Sequence, residues 1–138
     1  MVATEKESKV TLRISSSMHS LLEIIDIIGE IPSKGYEKGD VISAKSLTQR
    51  YREESLWFLE SGLHQSATID EHLLKVSEFI DTHFDKLKKL ISIGCDITLY
   101  CCFTTYNGQG GFVLTNEIIK KFSTLPIDIV FDLYSIDS

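Results

Sequence analysis

The chain has 138 residues, 43% hydrophobic and 25% charged, with three cysteines and a net charge of -6. That length suits one domain able to bury a core unaided, and the composition excludes disordered and collagen-like classes. The acidic balance argues against nucleic acid as a partner, since that affinity rests on Lys and Arg neutralising phosphates, and no apolar run approaches the roughly 18 residues of a membrane span.

Residues 2–8 are polar, without the apolar core of a signal peptide. The expectation is a cytoplasmic protein, a single domain over residues 1–138 with a flexible N-terminus at 1–8. Val10, Leu12 and Ile14 alternate with Thr11, Arg13 and Ser15, the period of a half-buried strand. Leu21, Ile24, Ile25 and Ile28 then recur at helical spacing between the capping pair Ser20 and Glu23 and the stop Gly29, which predicts a helix over 18–28. Pro32, Gly35 and Gly39 make 31–40 a surface loop. Residues 41–52 read ambiguously, whereas Ser55 to Glu60 is rich in strand formers.

Thr68 and Glu71 form a second capping box, and Ile69, Leu73, Val76, Ile80, Phe84, Leu87 and Ile91 follow in steps of three or four, predicting one long helix that stops at Gly94. Cys95, Ile97, Leu99, Cys101 and Phe103 alternate with polar or aromatic neighbours as a further strand. Asn107-Gly108 is a preferred hairpin turn centre, so 112–114 is expected to form a short returning strand. Thr115 caps a helix through Ile118, Ile119 and Phe122, and Ile127, Ile129, Phe131 and Leu133 give a last strand after Pro126. The order predicts an α+β two-layer sandwich, mostly antiparallel, with helices on one face and ferredoxin-like halves as one arrangement.

No catalytic, cofactor-binding or metal-binding set emerges. The glycines at 108, 110 and 111 lack the Lys and hydroxyl residue that a phosphate loop places after its last Gly. Ser15 to Ser17 ahead of a helix offers a minor anion-site reading against an ordinary turn. Cys101 and Cys102 point to opposite faces of one strand, so one metal ion does not collect both; the first reads as core, the second as a sheet-surface thiol. His19, His64, His72 and His83 are scattered and read as surface residues, His72 and His83 lying roughly 16 Å apart on one helix. Trp57 reads as core or as an aromatic floor for a partner. Asp70, Glu71, Glu78 and Asp81 make the long helix acidic, part of which suits its dipole.

Through Thr11-Leu-Arg-Ile14, Lys38-Gly-Asp40, the Trp57 strand, Ile97 to Phe103, Gly110-Gly-Phe112 before Leu114-Thr115, and Phe131-Asp-Leu-Tyr134, the chain resembles the bacterial DUF4279 family over nearly its whole length. That resemblance implies no settled activity; some bacterial proteins of this size and kind neutralise toxins as immunity proteins. The expectation is a non-catalytic protein that binds a cognate, basic toxin domain, with Asp70, Glu71, Glu78, Asp81, Trp57, Tyr100 and Tyr134 as partner-binding residues, no nucleic acid or membrane partner, and a homodimer through a sheet face or edge as a further form. The alternative is a small-ligand-binding domain or enzyme using a sheet face around Trp57, Tyr100, Cys102 and Tyr134.

Overall fold

The computed structural model of the protein describes residues 6–42, 50–108 and 110–136. Strand β1 (Lys6–Ser16) buries Val10, Leu12 and Ile14 completely while Thr11 and Arg13 stay half-buried on the other face, the alternation its sequence dictates. Of the expected flexible N-terminus, residues 1–5 lie outside the described residues, and Lys6 to Ser8 already belong to β1. Helix α1 (Leu21–Ile28) starts on Ser20, whose hydroxyl accepts from Glu23 N–H, and ends on Gly29 at φ 75°, where a left-handed residue closes the last turn.

Strand β2 (Lys34–Tyr36) lies inside the segment expected to be only loop, and it pairs antiparallel with β3 (Ser55–Glu60), Gly35 opposite Trp57. Pairing supplies what local propensity lacks there: a short strand beside a strong one satisfies backbone groups that a loop leaves to water. In the ambiguous 41–52 segment, Val41 and Tyr51 form an antiparallel bridge, and 43–49 lie outside the described residues.

The predicted long helix is two helices, α2 (Ile69–Thr82) and α3 (Phe84–Ser92), interrupted at His83. No Gly or Pro marks the break. His83 sits at φ -108°, ψ 21°, with its ring held 3.1 Å from the Glu30 carboxylate, so a tertiary contact replaces the local signal. Strand β4 (Asp96–Tyr106) then buries Ile97, Leu99, Cys101, Phe103 and Thr105 on one face. The turn at Asn107 and Gly108 has positive φ at both positions, 60° and 68°, as expected, but residues 112–114 form no returning strand. The chain instead passes into α4 (Asn116–Phe122), capped by Thr115, and β5 (Ile127–Ile136).

The five-stranded sheet has the order β2-β3-β1-β4-β5. Strand β1 runs antiparallel to β3, with Ser61 N–H donating to the Val10 carbonyl and, at the other end, Ser55 and Ser17 both bonded by Lys38. It is antiparallel to β4 as well, since Tyr106 donates to Glu7 at one end and Cys95 meets Ser16 at the other. Strands β4 and β5 are parallel: Asn107 N–H donates to the Ile136 carbonyl, and Cys102 lies by Asp132 further back. Helix α4 makes the crossover that parallel neighbours require. Thus β1-α1-β2 and β3-α2-α3-β4 are interleaved split β-α-β units of the ferredoxin-like kind, with α4-β5 added at one edge.

Contacts divide the chain into two compact units, one of Met1–Leu12, Glu60–Thr82 and Thr98–Ser138, the other of Arg13–Leu59 and His83–Ile97. In the first, Val10, Leu12, Leu99, Cys101 and Phe103 share the core with Ile69, Leu73, Val76 and Ile80 of α2 and Ile118 and Phe122 of α4. In the second, Ile14, Ile24, Ile28, Trp57, Leu87 and Leu90 are fully buried.

Candidate functional site

Helix α2 presents the most ordered charged surface. At 100° per residue, Asp70, Asp81, Leu74, Glu78 and Glu71 fall within an arc of about a quarter turn. Glu71, Glu78 and Asp81 are exposed, Asp70 is half-buried, and exposed Leu74 lies between them. The opposite arc, Ile69, Leu73, Val76 and Ile80, is buried. The stripe is therefore the solvent face of a helix anchored by its other side. Glu71 also accepts from Thr68 N–H in the capping box, and Lys75 reaches Glu78 at 3.6 Å, a long and exposed pair that neutralises little.

The other expected partner residues divide. Trp57 is 0% exposed and donates through Nε1 to the Glu30 carbonyl. It belongs to the core, so a partner surface or ligand floor containing Trp57 is corrected: the indole is too large to leave in water, and an internal carbonyl satisfies its N–H. Tyr100 is half-buried on β4 and Tyr134 is 54% exposed on β5. Both lie on even-numbered positions, as do Cys102 and Asp132, which makes them one open sheet face in that unit.

Two recesses lie in the same unit. One, about 500 Å³, is lined by Glu7, Lys9, Glu60, Ser61, His72 and Cys102 among others. His72 is 1% exposed, which corrects the surface reading of this histidine: positions 69, 72, 73 and 76 form one i, i+3, i+4, i+7 stripe, so the ring falls on the apolar side. Its Nδ1 shares a 2.5 Å hydrogen bond with Ser61 Oγ, while Nε2 is buried with no acid bonded to it among the described residues. Burial pushes the His72 pKa down, against the pull of Glu71 and the nearby His64 and Ser8 carbonyls. A serine nucleophile needs a base whose second nitrogen is oriented by an acid, and Nε2 has no such group here. Cys102 is no better poised, because burial and then Asp132 push its thiol up, with Lys9 opposing, and thiolates are the reactive form. Cys101 is pushed up to about 12 by burial, as a core thiol should be.

The second recess, about 330 Å³, is lined by Ser8, Thr68, Ile69, Phe103, Phe112 and Thr115 among others. Phe112 packs edge-on to Phe103 with centroids 4.9 Å apart and stacks on Phe131 at 5.5 Å. No local pattern marks this ladder in the sequence, where Phe112 reads as part of a short strand that does not form.

In the other unit, the minor anion-site reading at Ser15 to Ser17 finds its amides already occupied. Ser16 Oγ accepts from Met18 and His19 N–H, and Leu21 N–H donates to the Glu37 carboxylate at 2.9 Å. Arg13, Arg50 and Arg52 line a recess with Glu53 and Glu54, and Arg52 stacks on Tyr36 at 3.6 Å. Among the described residues, no group of three or more His, Cys, Asp or Glu is arranged to hold a metal ion, and no helix is long and apolar enough to cross a membrane.

Compared with known proteins, residues 6–136 match the family model described as a domain of unknown function, DUF4279. No curated protein and no solved structure matches the chain.

Proposed function

From the premise that this chain belongs to the DUF4279 family, we propose that it is a non-catalytic binding protein, a bacterial immunity protein that occludes a cognate basic toxin domain in the cytoplasm. The observation that carries the reading is the acidic stripe on α2, with Glu71, Glu78 and Asp81 exposed and Asp70 beside them. Four carboxylates around an exposed Leu74 combine long-range attraction with a small apolar contact, which is how complementary charge speeds encounter and fixes register. The net charge of -6 acts in the same direction. Neither the Ser61–His72 pair nor Cys102 is arranged for nucleophilic chemistry, which favours binding over turnover.

The test is neutralisation. If a neighbouring gene encodes a toxin domain, co-expressing the chain with it should restore growth, and the Glu78→Lys, Asp81→Lys double variant should lose that protection while remaining folded by circular dichroism. Growth arrest unaffected by the wild-type chain would refute the reading.

A second reading, a small-ligand-binding domain, is supported by the recess of about 330 Å³ under Phe103 and Phe112, a volume at the low end for small-molecule sites. It moves the expected ligand site from the open sheet face, which lacks Trp57, to the helix side of β4.

A further inference from the structure

Strand β5 is the last strand in the sheet order, and its ten residues contain no Lys, Arg or Pro, so that Asp128 and Asp132 are its only charges against edge pairing. It is exposed on both faces. Ile129, Phe131 and Leu133 stand on one side and Val130, Tyr134 and Ile136 on the other, Leu133 being 66% exposed. Because Ile136 turns its carbonyl toward β4, strand alternation turns the backbone groups of the odd-numbered residues 129 to 135 outward, while Ile127 N–H is already bonded to the Leu125 carbonyl.

We propose that β5 pairs antiparallel with β5 of a second copy of this chain about a two-fold axis through Phe131. The two carboxylates of the strand, Asp128 and Asp132, restrict the register. Two-fold pairing that keeps each face on its own side puts residues of equal parity opposite one another, so the axis passes through a single residue. An axis at Val130 sets Asp128 against Asp132 of the second copy, twice. An axis at Asp132 sets that carboxylate against itself. Like charges directly opposite are destabilising.

Axes at Ile129, Phe131 and Leu133 avoid both, and Phe131 gives the longest overlap of the three, residues 127–135. Asp128 then faces the Tyr134 hydroxyl of the second copy, Asp132 faces Val130, Ile129 faces Leu133, and Phe131 faces Phe131. The outward odd-numbered residues become the hydrogen-bonded pairs, and the Phe103–Phe112–Phe131 ladder continues across the axis. The strand is thus complementary to itself, which no foreign partner need be. A single strand pair falls at the small end of specific interfaces, where micromolar dissociation is expected.

Sedimentation equilibrium of the full chain from about 1 to about 200 µM tests this. The wild type should reach the two-copy mass in that range. Tyr134→Asp, which places a carboxylate opposite Asp128, should weaken the dimer at least about tenfold, whereas Tyr134→Lys should bind at least about tenfold more tightly than Tyr134→Asp. Position 134 is on the surface, so circular dichroism should show both variants folded. A single-copy mass throughout the range, or a dimer equally stable in the two variants, would overturn the proposal.

Discussion

His72 shows what one residue's placement does to the pH response. Its folded pKa lies below its usual 6.5 because burial disfavours the charged ring. The unfolded chain therefore binds the extra proton first, so the neutral ring's contribution is complete above about pH 6.5 and is lost as pH falls from there toward the depressed value. His19 works oppositely: its hydrogen bond to Glu23, then the Ile93 carbonyl, raise its pKa, so what it adds is present below 6.5 and lost as pH rises. Urea titrations at pH 7.5 and 5.5 should show a drop in stability for the wild type that is smaller in His72→Gln, with the difference between the two proteins isolating His72. An identical drop in both would contradict the assignment. Residue type argued for a surface His72, and the helical spacing with Ile69, Leu73 and Val76 was the signal that outweighs it; its partner Ser61 left none, because a hydrogen bond between a strand end and a helix has no local pattern. At Gly108, φ is 68° and a Cβ would meet only Ser135 Oγ at an ordinary 3.6 Å. Gly108→Val should therefore cost about 1–2 kcal/mol through the backbone, since a branched residue resists the left-handed region. Denaturant melts check this.

Among the elements, those with strong periodicity were legible and those made by tertiary contacts were not. Strands β1, β4 and β5 follow alternation, and α1 and α4 begin on Ser20 and Thr115 as their capping patterns require. Strand β2 forms because Gly35 faces Trp57 on β3, and α2 stops at Thr82 beside a histidine drawn to Glu30; neither cause is local in sequence. The absent strand at 112–114 has the same explanation: Asn107-Gly108 turns the chain as its residue types demand, but Phe112 gains more by packing between Phe103 and Phe131. Helix α4 has seven residues, well under the roughly 12–15 that stand alone in water, so its cap matters. Thr115 Oγ accepts from Ile118 N–H at 3.2 Å, and Thr115→Ala should cost about 1 kcal/mol. Hydrogen exchange should report it as faster exchange in α4 than in α2; uniform loss across both helices would argue against a local cap.

At the scale of the molecule, the α+β class could be read from element order, whereas the strand order β2-β3-β1-β4-β5 rests on pairings between distant segments. The parallel β4–β5 pair in particular depends on α4 as a crossover. The acidic stripe was half legible: its residues were visible in sequence, but their exposure on one arc depends on α2 burying its other side against the core. Trp57, expected among the partner-binding residues as an aromatic floor, lies in the core. The proposed function enters at this scale, because attraction of a basic partner would depend on the summed field of exposed charges rather than on a single contact. Salt should weaken association steeply, since the Debye length shrinks to about 8 Å at physiological ionic strength.

Whether the α2 stripe receives a basic toxin domain, as proposed, is decided by stopped-flow association of the chain with a toxin domain from a neighbouring gene. A one-to-one complex is expected, with an association rate about tenfold lower in Glu78→Lys, Asp81→Lys and a shallower salt dependence than the wild type. A complex that forms at the same rate and with the same salt dependence in the double variant, or no complex at all, would contradict it.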